Sequence, residues 1–227
     1  MSEKRDSVAG TALLVTDPEA CAHLEAENAI RQFDRVLDMI DEVARDKREF
    51  KLRPSKILDL HRCAMAGLSL YAGTWRAGAV TIGKSQHQPP DAFRVAELIE
   101  EMCDWVNDHW GQISAVELCA YVMWRLNWIH PFDDGNGRTS RALAYLVLCA
   151  RLGDRLPGRK TVPEQIAEHK SPYYDALESA DQAYRCGTID VSAMQSLLET
   201  YIAVQLKEAF DSARAIGEVE ATNRKLH

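Results

Sequence analysis

The segment HPFDDGNGRTSR, residues 130–141, separates two strongly apolar stretches and decides how the chain folds. Pro131 disfavours helical geometry in the residue before it, so the apolar helix that precedes the segment must end near His130. The polar turn DDGNG follows, and RTSRALAYLVLCARLG begins a second helix. Two long apolar helices joined by a short turn predict an all-α helical bundle, with the first of them at its centre because it is apolar nearly all round.

Helical signals continue on both sides of this segment. Ser114 and Glu117 form a capping box that opens the helix ending near His130. Asp17 before Pro18 predicts the start of an N-terminal helix over 17–46, whose apolar stripe includes Ile30. A second helix is expected from Pro54 to about Tyr71. Further helices are predicted over 91–110, 163–184 and 190–214.

Residues 73–90, called the flap here, interrupt the helical pattern. They contain three glycines and two prolines, and Val80 and Ile82 alternate around Thr81. This pattern predicts a short β-hairpin or extended flap. The chain has no internal repeat and no linker that separates two domains. The expected organisation is a flexible N-terminal arm (1–16), one domain (17–214) and a polar C-terminal tail (215–227).

Composition excludes several classes of protein. The chain is 46% hydrophobic and 27% charged, which is typical of a globular domain and not of a disordered or collagen-like one. A net charge of −7 argues against direct nucleic-acid binding. No segment resembles a membrane span or a secretory signal. The cysteines are scattered, which predicts reduced, buried thiols and a cytoplasmic protein.

The central turn has the residue types of an anion site. Gly135 and Gly137 flank Asn136 where the turn becomes a helix, so that the backbone can approach a ligand closely and present N–H groups. A helix N-terminus favours anions. Arg138 and Arg141 lie three residues apart on this helix and point to one face, and two guanidinium groups suit a polyphosphate.

Three neighbouring residues complete the candidate site. Asp134 is a hard oxygen ligand that suits Mg²⁺ beside phosphate oxygens. His130 titrates near neutrality and is the natural general base. Phe132 is expected to anchor the turn in the core. Each residue type is common in structural roles, and the hypothesis depends on their joint occurrence within residues 130–141.

Residues 130–141 resemble the signature of the Fic (filamentation induced by cAMP) family, H-P-F-x-[D/E]-G-N-G-R-x-x-R, at every fixed position. The flap and the stretch SPYYDALESA (171–180) are also similar to the corresponding family segments. The resemblance covers roughly residues 20–205. It implies the helical Fic fold.

The resemblance also implies a protein adenylyltransferase, which transfers AMP from ATP to a Tyr, Thr or Ser hydroxyl of a target protein. In that reaction His130 deprotonates the hydroxyl, and Asp134 holds Mg²⁺ or Mn²⁺. An extended flap beside the site can pair with the target through main-chain hydrogen bonds, and Ile82 is expected to pack against the target or the flap base. The residues implied to bind the phosphates are Gly135, Asn136, Gly137, Arg138 and Arg141.

Several alternatives remain open from the sequence. Tyr173 and Tyr174 border the nucleotide base or belong to the core. Four functions are compatible with the sequence: transfer of AMP, transfer of another group, removal of AMP from a target, and a regulatory role without catalytic activity. The kinase-like branch of the family differs from this chain at Gly135, Gly137 and Arg138, which counts against phosphoryl transfer. A second copy of the chain or an antitoxin-like regulator is a further candidate partner.

Glu27 is the candidate for inhibition within the chain. Many Fic proteins carry an inhibitory helix with the pattern [S/T]-x-x-x-E-[G/N], whose Glu pairs with the second arginine of the motif. Glu27 and Asn28 match its end, whereas His23 stands where Ser or Thr is usual. The resemblance thus implies an ion pair from Glu27 to Arg141. The alternative is an exposed glutamate in the first turns of the helix.

Overall fold

The computed structural model describes residues 7–8, 14–46, 50–83 and 85–225, with side chains described for 14–45, 50–83 and 85–215. These residues form a bundle of α-helices, which confirms the predicted all-α class. In chain order the helices are α1 (Pro18–Asp46), α2 (Pro54–Met65), α3 (Val95–Asp108), α4 (Ala115–Ile129), α5 (Asn136–Leu152), α6 (Val162–Glu168), α7 (Lys170–Arg185) and α8 (Ser192–Lys225).

The centre of the bundle is the pair α4 and α5, which pack along each other. Trp124 and Leu126 on α4 and Leu143 and Leu146 on α5 are completely buried. Helices α1 and α2 cover α5, while α3, α7 and α8 cover α4. Because both central helices have neighbours on several sides, their sequences are apolar around most of their circumference.

Two helix starts, those of α1 and α4, have the side-chain caps that the sequence predicts. The Asp17 carboxylate accepts a hydrogen bond from the Ala20 N–H at 2.8 Å, and the Ser114 hydroxyl accepts one from the Glu117 N–H at 3.0 Å. Helix α2, however, ends at Met65 and does not reach Tyr71 as predicted. The chain turns there through Gly67, whose φ of +70° is incompatible with a continuing helix.

The buried face of α1 differs from the predicted stripe. Ile30 is 66% exposed, whereas the polar side chains of Asn28 and Gln32 are buried on the opposite face. Asn28 donates to the Ala66 carbonyl at 2.7 Å and Gln32 donates to the Leu60 carbonyl at 3.0 Å. One bond reaches the carbonyl just after the end of α2 and the other a carbonyl within the helix, so polar residues stabilise this interface.

A two-stranded antiparallel pair joins the arm to the flap. Strand β1 (Ser7–Val8) pairs with β2 (Thr81–Ile82) in the register Ser7 to Ile82. The Leu14 N–H also donates to the Leu68 carbonyl at 3.1 Å. The described part of the predicted flexible arm is therefore bound to the domain; residues 1–6 and 9–13 lie outside the described residues. The strand that pairs with the flap strand thus comes from the arm, and in the described residues it does not come from a hairpin within 73–90.

The last helix is longer than predicted. Helix α8 continues through most of the predicted polar tail to Lys225, and residues 226–227 lie outside the described part of the chain. No described helix is long and apolar enough to span a membrane. The cysteines are free, as predicted, although only Cys103, Cys119 and Cys149 are buried and Cys186 is exposed.

Candidate functional site

The loop between α4 and α5 is held by its own side chains. Asn136 accepts a hydrogen bond from the Phe132 N–H at 2.9 Å and donates to the Phe132 carbonyl at 2.7 Å. Phe132 is completely buried, as predicted, and its ring stacks on the His61 imidazole with centroids 3.5 Å apart. The side chain of Asn136 therefore closes the loop, and its main chain lies at the start of α5, where the phosphate cradle is predicted.

His130 occupies the end of α4 in a left-handed conformation with φ 51° and ψ 58°. Its residue is 5% exposed, and its Nδ1 lies 3.2 Å from the Asn127 carbonyl oxygen. A carbonyl only accepts hydrogen bonds, so we assign the proton to Nδ1 and the basic lone pair to Nε2. In this tautomer Nε2 carries no proton and can accept one, as a general base must.

Asn127 is a residue that the sequence analysis missed. Its amide nitrogen lies 2.7 Å from the Ser140 hydroxyl and 2.7 Å from the Tyr173 hydroxyl. Tyr173 is 1% exposed. Of the two alternatives left open by the sequence, a border of the nucleotide base or a core position, the structure shows the core position. Tyr174 is partly buried against the same core. The carbonyl that orients His130 thus belongs to Asn127, whose side chain is held by hydrogen bonds to residues of α5 and α7.

Asp134 and Gly135 form the corner before α5. The Asp134 carboxylate accepts a hydrogen bond from the Gly135 N–H at 2.6 Å. Gly135 has a φ of +78°, and an added Cβ would lie 2.8 Å from the Met65 sulfur. Only glycine fits this corner, because both the backbone conformation and the space exclude a side chain. The predicted requirement for glycine therefore has a steric cause.

His61 of α2 supports this corner and was also missed. Its Nε2 lies 3.0 Å from the Asp134 carbonyl oxygen, and its Nδ1 accepts the Gly73 N–H at 2.9 Å. Burial lowers the pKa of His61 to about 4, so the ring is neutral near pH 7 with its proton on Nε2. His61 thereby links α2, the flap base and the motif loop.

The two arginines of the motif have different surroundings. Arg138 pairs with Asp134 at 3.1 Å and with Glu25 at 3.2 Å. Arg141 makes no hydrogen bond or ion pair with the described residues, and burial lowers its pKa. An added Cβ on Gly137 would lie 3.3 Å from the Arg141 guanidinium. The absence of a side chain at Gly137 therefore leaves room for this guanidinium.

Glu27 is not where the inhibitory interpretation requires it. Its carboxylate is 51% exposed and pairs with His23 at 3.2 Å. No ion pair joins Glu27 to Arg138 or Arg141 in the described chain, so the predicted pair with Arg141 is wrong. The reason is helical phase: Glu27 shares the outer face of α1 with Ile30, while Glu25 faces the motif.

The flap lies against the end of α4. Ile82 is 9% exposed, so its side chain is buried. His87 contacts the Trp128 carbonyl through Nε2 at 2.7 Å. Arg76, which the sequence analysis did not single out, donates from Nε to the His130 carbonyl at 2.8 Å. These contacts bring the flap next to His130.

A divalent cation suits the donor set around Asp134. Its carboxylate is 41% exposed at the rim of the loop. Among the described residues no group of three His, Cys, Asp or Glu side chains is close enough to form a metal cluster. One accessible carboxylate beside a helix N-terminus matches the usual Mg²⁺ arrangement, in which phosphate oxygens and water supply the other ligands. The residues present therefore fit a cation that arrives with a nucleotide.

Comparison with known sequences identifies relatives of this chain. Residues 51–148 match the Fic/DOC family. The chain is 30% identical over 163 residues to the protein named "Protein adenylyltransferase Fic" of Drosophila persimilis, an alignment that covers 70% of this chain and 30% of that protein. The chain thus spans about 30% of the length of the curated relatives that it matches.

Solved structures share the fold. Fic-1 (residues 134–508) from C. elegans superposes with a TM-score of 0.66 at 20% identity and covers 88% of this chain and 55% of that one. The BepC protein of Bartonella tribocorum, solved with bound AMPPNP, gives a TM-score of 0.54 at 16% identity and covers 86% of this chain and 94% of that one. Residues 51–148, which contain the intact motif, thus match the Fic/DOC family, and the solved Fic structures share the helical fold of this chain.

Proposed function

We propose that this chain is a protein adenylyltransferase, which transfers AMP from ATP to a hydroxyl side chain of a target protein. The observation that carries the proposal is that one loop holds both His130, with its basic atom assigned to Nε2, and the start of α5 with its two arginines. The adenylyltransferase names of the relatives and the AMPPNP bound to BepC support ATP as the substrate.

Each group has a defined part in the reaction. His130 takes the proton of the target hydroxyl, whose oxygen attacks the α-phosphorus of ATP. The new bond joins this oxygen to the α-phosphorus, and the bond to pyrophosphate breaks. Arg138 and Arg141, with the N–H groups of Asn136 and Gly137, stabilise the phosphate charge, while Gly135, whose N–H donates to Asp134, shapes the turn of the cradle. Such a transfer depends on orientation and charge stabilisation, which these residues supply.

The remaining elements serve the cation and the target. Asp134 would hold Mg²⁺ or Mn²⁺, which neutralises charge on the phosphates when it is bound. A target segment would pair through main-chain hydrogen bonds with the edge of the flap strand opposite β1, and Ile82 would give the strand a fixed packing position. We place the reaction in the cytoplasm, where free thiols such as those of this chain stay reduced.

The test is incubation of the chain and a lysate with ATP labelled at either the α- or the γ-phosphate, in Mg²⁺ or Mn²⁺. Label on protein from the α-phosphate alone supports AMP transfer. Label from the γ-phosphate alone would indicate phosphorylation, and label from neither would favour a binding module or an AMP-removing enzyme. A pull-down with a clickable ATP analogue, compared between wild type and His130→Ala, then identifies the target.

A further inference from the structure

The buried guanidinium of Arg76 joins the first half of the flap and its last residue to the end of α4. Arg76 is 3% exposed. Its Nη1 donates to the Gly78 carbonyl at 2.9 Å and its Nη2 donates to the Pro90 carbonyl. Its Nε donates to the His130 carbonyl at 2.8 Å. One planar group therefore contacts main-chain carbonyls of Gly78 in the flap, of Pro90 at its end and of the candidate base His130.

The positive charge suits this position. The last carbonyls of a helix have no partner within the helix, and cations are favoured at a helix C-terminus. Nη2 of Arg76 also lies 3.4 Å from the carbonyl of Ile129, the last residue of α4. Burial lowers the pKa of Arg76, whereas Asp133 and Asp91 act in the opposite direction. An arginine keeps its charge in a protein, so a fixed cation lies at the end of α4.

The group that this cation holds is the peptide that follows His130. His130 is the only non-glycine residue with positive φ in the described chain, at φ 51°. Such a conformation is rare for residues with a side chain. The Nε bond to the His130 carbonyl, with the bond from the Arg76 main-chain N–H to the Pro131 carbonyl at 2.9 Å, fixes the peptide planes on both sides of Pro131. The direction of the imidazole depends on these planes.

We propose that Arg76 is a positioning residue that sets the flap relative to His130, so that a segment docked on the flap presents its hydroxyl to the imidazole. This inference rests on the proposed function. The rigid fork of an arginine is required, because a lysine ammonium is a single point and does not hold the carbonyls of Gly78, Pro90 and His130 together.

A second contact of the flap has a different effect. His87 bonds to the Trp128 carbonyl, which lies earlier in α4 than His130. This contact keeps the flap near α4 but does not fix the peptide after His130. Loss of the Arg76 fork should therefore change the geometry and opening of the flap without detaching it.

The experiment compares Arg76→Lys with the matched variant Arg125→Lys. Arg125 is also buried, with a side chain 7% exposed, and it packs on Trp128 and lies 3.8 Å from Glu101. Within the described residues it has no bond to the flap or to His130. Three quantities are measured on the full chain: amide hydrogen exchange over residues 78–90, MgATP affinity by calorimetry, and the rate of α-phosphate label transfer into lysate proteins at saturating MgATP.

For Arg76→Lys we expect exchange over 78–90 to accelerate about tenfold or more, since each hydrogen bond to a charged donor contributes at least that factor. Transfer should slow by about tenfold or more, and MgATP affinity should stay within about twofold, because the phosphate site at α5 does not include Arg76. Arg125→Lys should leave flap exchange unchanged. Unchanged flap exchange in Arg76→Lys, equal acceleration in Arg125→Lys, or a proportional loss of MgATP affinity would overturn the proposal.

Two measurements keep this result independent of folding and of the proposed activity. The wild-type chain should show a slowly exchanging Nε–H resonance for Arg76 in NMR spectra; a rapidly exchanging one overturns the inference even if Arg76→Lys does not fold. If wild type transfers no label, the proposed function fails, and accelerated flap exchange in Arg76→Lys would still support the link between Arg76 and the flap.

Discussion

The Nδ1 atom of His130 contacts the main-chain carbonyl oxygen of Asn127, at 3.2 Å. The Asn127 side chain is in turn bound by the hydroxyls of Ser140 and Tyr173. The tautomer of the imidazole is therefore set by residues on α4, α5 and α7, whereas its direction also depends on the peptide planes that Arg76 holds. A base held in this way does not need a ligand to select its basic nitrogen.

His130→Asn should abolish AMP transfer and leave the fold intact. Asparagine tolerates the left-handed conformation of this position but is not a base. Loss of a general base lowers a rate by about two to four orders of magnitude. The measurement is transfer of label from the α-phosphate of ATP, with His169→Asn, at an exposed histidine, as the control. Near-wild-type transfer by His130→Asn would exclude His130 from the chemistry.

Asp134→Asn should remove the Mg²⁺ dependence of ATP binding. The asparagine oxygen still accepts the Gly135 N–H, but the variant lacks the negative charge that a hard cation prefers. Calorimetric titration with ATP, with and without Mg²⁺, gives the two affinities, and Asp133→Asn is the neighbouring control. If Asp134→Asn kept the wild-type affinity and metal dependence, Asp134 would not be the cation ligand.

Gly135→Ala should destabilise the chain more than Gly153→Ala. Both glycines have positive φ, so each alanine costs about 1 kcal/mol of unfolding free energy from backbone strain. The new Cβ at Gly135 would also lie 2.8 Å from the Met65 sulfur, whereas Gly153 has open space. This overlap adds about 1–3 kcal/mol. Urea unfolding measures both values, and equal losses would contradict the close packing at Gly135.

His61 should make the folded chain sensitive to acid. The unfolded chain binds a proton on this imidazole near pH 6.5, whereas the folded chain does so near pH 4. More protons bind to the unfolded state between these values, so the stabilisation is complete above pH 6.5 and is lost as the pH falls towards 4. The total loss is up to about 3 kcal/mol of unfolding free energy.

The His61 prediction is checked by urea unfolding across this pH window in chelator-treated buffer, with His61→Gln for comparison. Glutamine keeps an N–H that can donate to the Asp134 carbonyl but does not titrate. The variant should be less stable than wild type at neutral pH, and the difference should shrink on acidification. Parallel stability curves for the two proteins would show that His61 contributes no such dependence.

Glu27→Gly should leave AMP transfer unchanged, because the Glu27 carboxylate pairs with His23 on the exposed face of α1. Glu25→Gln should tighten MgATP binding instead, since Arg138 loses a competing partner. Exposed ion pairs contribute up to about 1 kcal/mol, so the gain should be at most about fivefold. Label transfer and calorimetry measure the two effects. A sharp rise in transfer for Glu27→Gly alone would restore the inhibitory interpretation.

The geometry of the motif loop was predictable because the rules that determine it are local. Pro131 ends α4, the Ser114 hydroxyl begins it, and α5 starts directly after Gly135. The residues that support the loop were not predictable, because they come from elements distant in sequence. His61 lies on α2 and Arg76 lies in the flap, and nothing in their own sequence neighbourhood indicates which carbonyls they bind.

The error at Glu27 also has a physical cause. The apolar periodicity of the sequence includes Ile30, which turns the predicted inner face of α1 towards Glu27. The buried positions are instead occupied by Asn28 and Gln32, which satisfy carbonyls of α2 and its end. Two residues correspond to about 200° around a helix, so Glu25 and Glu27 lie on opposite faces.

The paired hydrogen bonds between Asn136 and the main chain of Phe132 have a kinetic consequence. The groups that order the motif loop belong to the chain itself, so the loop is ordered by folding and has little conformational entropy left to lose when a nucleotide binds. Association should then resemble the docking of two rigid bodies. Its rate should follow diffusion and electrostatic attraction into the site, without a slow rearrangement step.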